Sequence, residues 1–329
     1  MRMKKIIFIK TIFFFIVSTL VFSGEKIIKL ENFYSIPKIL VKDDYLYVWS
    51  SYLTSIFTIY SIREAKLLRS PLKIGEGPGE IKIPGESIER VLIQKNKLYI
   101  YTNKKMMAFS LDGEFLSEKR FPFIIRKAIK CGDRFIGITY VSGENGSLFN
   151  SLNVYDLNFK LLKSIYKQRR YNPLRYIEFM RSELYFICFR QYVYVADNNK
   201  ELSIIEFKLD GCGKRKFRIK YNKYPITKKD KKDLINYYLG EKKLYKPVFH
   251  KYFPPFKDIF FFNKKIFILL YKSQKHGKNE FIIFDVKNKK IKRVFLPYCI
   301  NYTFYSNKYY CVKLNKRDEF FVKWGKIYY

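Results

Sequence analysis

A short polar turn leading into an apolar, aromatic-rich strand recurs six times along this chain, and that repeat limits what it can fold into. The copies read Asp44-Tyr45-Leu46-Tyr47-Val48, Asn96-Lys97-Leu98-Tyr99-Ile100 and Asp133-Arg134-Phe135-Ile136-Gly137. They continue as Ser182-Glu183-Leu184-Tyr185-Phe186, Lys264-Lys265-Ile266-Phe267-Ile268 and Asn307-Lys308-Tyr309-Tyr310-Cys311. Spread over the chain beyond residue 23, six copies give about 51 residues each, close to a four-stranded propeller blade.

The flanks repeat as well. An apolar strand precedes each turn, at 38–41, 90–93, 127–130, 176–180, 258–262 and 302–305. After five of the six comes a strand ending in an aromatic, then a polar turn. These are Tyr60-Ser61-Ile62-Arg63-Glu64, Phe109-Ser110-Leu111-Asp112-Gly113, Tyr155-Asp156-Leu157-Asn158, Phe207-Lys208-Leu209-Asp210-Gly211 and Phe284-Asp285-Val286-Lys287-Asn288. Asp-Gly and Lys-Asn suit tight hairpins, where residues that tolerate positive φ are needed. The spacing therefore predicts an all-β chain folded as a single six-bladed β-propeller with four-stranded blades. The last unit supplies about three strands, and residues 26–31 form a spare strand that can complete it and close the ring.

One insertion interrupts the spacing between the fourth and fifth units. Thr227 is placed as N-cap, with Asp230 three residues on, and Leu234, Ile235, Tyr238 and Leu239 share one face. With Gly240 as the residue past the end, this predicts a short helix within about 226–240. It either packs on the disc or lies as a lid over the central channel.

The N-terminus reads as a secretory leader, residues 1–23. Arg2, Lys4, Lys5 and Lys10 precede an apolar stretch from Thr11 to Phe22, and Val21 and Ser23 suit a cleavage site before Gly24. As a helix that stretch rises about 18 Å, against about 30 Å for a hydrocarbon core, so an N-terminal membrane anchor is the lesser alternative. Export to a periplasmic or extracellular compartment follows from this reading, with a monomeric propeller over residues 24–329.

The formal net charge is +36, four of it in the leader. Such a field attracts polyanions, anionic surfaces among them. The rival explanation is compositional, because Lys, Ile, Asn, Tyr and Phe are abundant together and the lysines are scattered rather than gathered in one tract. Of the five cysteines, Cys299 and Cys311 flank a turn near Ser306-Asn307 and could pair; buried free thiols are the other reading. No zinc spacing occurs.

Gly75-Glu76-Gly77-Pro78-Gly79-Glu80 resembles the G-x-G-P-G-E element of bacterial exported six-bladed propellers related to the NHL-repeat group. The stretch from Pro225 to Lys231 is similar to that group's helix-opening element, and Pro254-Pro255-Phe256 to its lead into the next blade. The family commonly has Phe or Tyr where Ile81 stands here. The resemblance spans roughly residues 26–329 and implies the fold; most members have no known biochemical role. In physical terms the glycine element is an inter-blade turn. It lacks the Lys-Ser/Thr that follows a phosphate-cradling loop.

Chemistry is sparse. His250 and His276 have no metal-ligand spacing, and neither a G-x-S-x-G elbow nor a Cys-His pair occurs. No residue is assigned to catalysis, a cofactor or a metal. Three functions stay open: a non-catalytic binding scaffold for an unknown protein or glycan, a polyanion-binding surface protein, and a channel-centred hydrolase or lyase. No specific nucleic-acid partner is expected.

Overall fold

The computed structural model describes residues 27–31, 33, 35–50, 57–143, 147–170, 176–178, 184–197, 201–239, 246–271 and 277–327. Six antiparallel four-stranded sheets follow one another around a ring. Blade 1 is Lys38–Lys42, Tyr45–Trp49, Phe57–Ser61 and Lys66–Arg69. Blade 2 is Ile88–Gln94, Lys97–Thr102, Lys105–Phe109 and Phe115–Arg120, and blade 3 is Arg126–Cys131, Arg134–Ser142, Leu148–Tyr155 and Leu161–Arg170. Blade 4 is Leu184–Phe189, Tyr192–Asp197, Ser203–Lys208 and Lys214–Arg218. Blade 5 is Phe256–Phe262, Lys265–Leu270, Lys278–Asp285 and Ile291–Pro297. Blade 6 takes Asn301–Tyr305, Lys308–Leu314 and Phe320–Lys326 from one end of the chain and Ile28–Lys29 from the other.

The sequence explains why the sheets stack. Middle strands such as Phe57–Ser61 are buried on both faces, whereas the outer strand Lys66–Arg69 is exposed throughout. Apolar side chains on both faces of one blade meet those of its two neighbours, which produces six hydrophobic clusters, one per blade interface. The cluster joining blades 6 and 1 contains Ile28, Val322 and Val41 together, so it closes the ring with residues from both ends of the chain. Between blades 5 and 6 the Phe267 and Phe304 rings stack at 4.2 Å, an aromatic pairing that adds about 1 kcal/mol beyond the area it buries. Inner strands also touch their neighbours all the way round.

Blade 4 is offset from the sequence reading. Its innermost strand is Leu184–Phe189, and the first hairpin turns at Arg190-Gln191, not at Ser182-Glu183. Of the apolar run expected as that inner strand, residues 176–180, the described part Tyr176–Glu178 instead pairs in parallel with Lys246–Val248, and residues 179–183 lie outside the described residues. The cause is conformational. The other first turns use left-handed Asp43, Lys95 and Asn96, Gly132, Asn263 and Lys264, or Ser306 and Asn307, but here Arg190 (φ 57°) takes that role, and arginine carries no turn signal.

Helix α1 spans Lys228–Leu239 between blades 4 and 5. Its capping box is reciprocal: the Asp230 N–H donates to Thr227 Oγ1 (3.1 Å) and the Thr227 N–H to Asp230 Oδ2 (2.8 Å). Leu234 and Ile235 are half-buried; Gly240 lies outside the described residues. The glycine element joins two short parallel strands, Lys73–Ile74 and Glu80–Ile81. Glu80 accepts the Gly77 N–H at 2.8 Å, and Gly79 (φ 76°) sits so close to Phe115 that a Cβ would approach its ring to 2.7 Å. The loop thus rests on the outer strand of blade 2, where Glu118 accepts the Gly79 N–H and pairs with buried Lys105. Burial opposes ionisation of Glu118, yet the Gly79 N–H, Arg120 and Lys105 outweigh it and hold the carboxyl below its usual range.

Candidate functional site at the channel mouth

All six inner strands run the same way. Contacts between their first residues recur, as in Arg126 with Glu89, Tyr185 with Lys257, and Asn301 with Pro37, and so do contacts between their last, as in Gln94 with Lys130 and Tyr305 with Asp43. The channel therefore has a mouth, where inner strands begin, and a far end, where they finish. Connections from one blade to the next arrive at the mouth. Helix α1 and the parallel pair of Tyr176–Glu178 with Lys246–Val248 belong to such connections, and so border that side of the disc.

Three of the six inner strands break register at the mouth. Pairing slips between Ile88 and Arg90 in blade 2, between Arg126 and Ile129 in blade 3, and between Phe256 and Asp258 in blade 5. A bulge adds a residue, bends the strand and re-aims side chains near it. Each bulge here carries two adjacent charged residues: Glu89-Arg90, Arg126-Lys127 and Lys257-Asp258. In blade 3 the bulge holds Lys127 at φ 51°, a conformation that a non-glycine residue adopts at a cost.

These side chains join blades across the opening. Arg90 donates from Nη2 to the Phe186 carbonyl of blade 4 (3.2 Å) and lies over the Phe186 ring at 4.6 Å. Blades 2 and 4 are not neighbours, so this contact crosses the channel and satisfies a carbonyl on the free inner edge. Arg126 of blade 3 pairs with Glu89 at 3.5 Å and also donates to Tyr140. Lys127 sits over the Tyr185 ring at 4.6 Å, while the Tyr185 hydroxyl donates to the Lys257 carbonyl of blade 5 at 2.8 Å. Burial pushes the Arg90 guanidinium down to about 10, against smaller opposing pulls from Tyr101, Glu89 and Asp258, so it stays charged at neutral pH. Four cations face two carboxylates in this collar.

The far end differs in chemistry. Phe189 meets Phe261, Phe262 meets Tyr305, and Cys131–Cys188 bonds the inner strands of blades 3 and 4. A second disulfide, Cys299–Cys311, joins the start of blade 6 to its second strand, and Cys212 is an exposed free thiol. Both Cα separations, 6.1 and 5.8 Å, suit a disulfide. Asp43 at this end is held below the usual carboxylate range by the Tyr305 hydroxyl and Lys42.

Off the axis, on the mouth side, a cleft of about 290 Å³ opens between Glu86, Lys104, Arg120 and the Phe121–Ile124 segment. Of the two histidines, His250 lies in the connection into blade 5, half-buried and engaged by a partner, and His276 is outside the described residues. Among the described residues no group of three or more His, Cys, Asp and Glu could hold a metal ion. Sequence reasoning missed the collar, although adjacent charged pairs opening three of the six inner strands were visible.

What these features define is a six-bladed β-propeller with a charged channel mouth. No protein-family profile matches the chain, and no curated protein does. Among solved structures it is similar to the Pan2 WD40 domain of Neurospora crassa (10% identity, 89% of each chain covered, TM-score 0.45). It is also similar to the AfRom2 CNH domain (9%, 93% of this chain and 96% of that one, 0.43) and to BamB of Moraxella catarrhalis (11%, 92% and 97%, 0.41).

Proposed function

We propose that this protein is an exported, non-catalytic binding propeller that meets its partner with the mouth side of the disc. The observation that carries this reading is the convergence of three bulged, charge-bearing inner strands on the side bordered by the α1 connection. Bulges that expend pairing energy to re-aim side chains mark places where a fold has been shaped for contact. The mouth sets four cations beside two carboxylates, with Glu89 paired to Arg126, which suits an electrostatic docking surface. Export is supported by the leader-like N-terminus and by the two disulfides, which suit an oxidising compartment. The resemblance to exported NHL-like propellers agrees with both.

The test is site-specific photo-crosslinking in cells that make the protein. A photoreactive residue at Lys257 should trap a discrete partner, and the same residue at Lys292, on an outer strand, should not. Trapping from Lys292 alone, or from neither position, would overturn the reading.

One observation favours a second reading, a polyanion-binding surface. Among the outer strands Glu118 is the single carboxylate, while Lys214-Arg215-Lys216-Phe217-Arg218 of blade 4 holds four cations in five residues. Lysines along edge strands also block sheet-to-sheet aggregation, a sufficient reason for them to be there. A steep loss of heparin binding between low and high salt would support the polyanion reading, and a flat response would dismiss it.

A further inference from the structure

The geometry points to the channel mouth as a carboxylate-binding site in which the Arg90 guanidinium is the principal donor and Lys127 a flanking cation. This inference deepens the binding-propeller reading and rests on it. Arg90 spends one N–H on the Phe186 carbonyl, and its Nε and Nη1 find no hydrogen-bond acceptor among the described residues. The same guanidinium, on a half-buried side chain, lies over the Phe186 ring. An arginine presents a planar fork that matches a carboxylate with two parallel hydrogen bonds. Anchored by one N–H of Nη2 and by the ring beneath it, Arg90 keeps the other Nη2 N–H to form that fork with Nε or Nη1, and is held in one orientation, which lowers the ordering cost of binding.

The surroundings agree in sign. Lys127 is fixed by its bulge and by the Tyr185 ring, on the next blade round from Arg90. Glu89 is tied to Arg126, which removes part of its repulsion toward an incoming anion. Asp258 acts on Arg90 from blade 5 and limits the affinity to a ligand that can displace its influence. The ligand chemistry is a carboxylate, carried either by a small free acid or by the C-terminus of a peptide inserted into the mouth.

The test is isothermal titration of the full chain with two probes: succinate, and a short peptide with a free C-terminal carboxylate, beside its amidated counterpart. Saturable binding below about 10 mM is expected for at least one probe. Succinate binding alone identifies a free acid; discrimination between free and amidated peptide identifies a chain terminus. Arg90→Gln should weaken that affinity at least about tenfold, Arg90→Lys should restore part of it, and Lys292→Gln should leave it unchanged. Should Arg90→Gln fail to fold, Lys127→Gln serves, with an expected loss of several-fold. No saturable binding of any probe, or equal affinity in the wild type and the Arg90 and Lys127 variants, would overturn the inference. The photo-crosslinking from Lys257 would stand or fall separately, because it requires no anion.

Discussion

Lys289, in the last hairpin of blade 5, reaches into blade 4 and lies 5.3, 5.1 and 5.9 Å from the centroids of Tyr194, Phe217 and Phe284. Its ammonium is ion-paired with Glu206, whose side chain is only 6% exposed. Burial is the larger reason that the neighbouring Tyr194 phenol is pushed above its usual range, and Glu206 adds to it. The physical weight of this contact lies in its removal: Lys289→Ala leaves a carboxylate in a nearly dry interface. The expected loss in urea unfolding is about 3 kcal/mol, and Glu206→Gln in the same background should recover part of it. A loss under about 0.5 kcal/mol would mean that Glu206 is hydrated after all. Arg90 is the counterpart, a half-buried cation held by a carbonyl and a ring, with hydrogen-bonding capacity to spare.

Among the elements, the hairpins carry the most transferable lesson. Asn263 and Lys264 both sit at positive φ (46° and 60°), the two-residue turn that asparagine and glycine favour. Lys264 therefore bears a conformational cost that Lys264→Gly should relieve, raising stability by about 0.5–1 kcal/mol in chemical denaturation; a decrease would show that the lysine side chain contributes packing there. The same chemistry determined what could be read beforehand. Where a first turn held Asp, Asn or Gly, as at Asp44, Asn96 and Asn307, the blade was legible. Blade 4 was misregistered because its turn is Arg190-Gln191, and because Tyr176–Glu178 imitates an inner strand. The α1 cap was legible because Thr227 and Asp230 interact three residues apart. The collar was not, since Arg90 and Phe186 are 96 residues apart and nothing local announces that Lys127 will turn left-handed.

At the scale of the molecule, closure is the decisive event. Ile28 is fully buried between blades 6 and 1, and its neighbour Lys29 is exposed and paired with Glu319. If Ile28–Lys29 ties the ring, Ile28→Ala should cost about 2–5 kcal/mol, whereas Lys29→Gln should cost under about 1 kcal/mol. Equal effects in thermal unfolding would contradict a closure based on apolar packing. The ring in turn makes the mouth, because only a closed circle brings residues from blades 2, 3, 4 and 5 around one axis. Hydrogen exchange of the intact chain, with and without a saturating amount of whichever carboxylate probe binds in the titration, tests that claim most directly. Slowed exchange confined to the beginnings of Ile88–Gln94, Arg126–Cys131, Leu184–Phe189 and Phe256–Phe262 is the predicted result. Unchanged exchange there, or slowing concentrated in the outer strands Leu161–Arg170 and Lys214–Arg218, would contradict it.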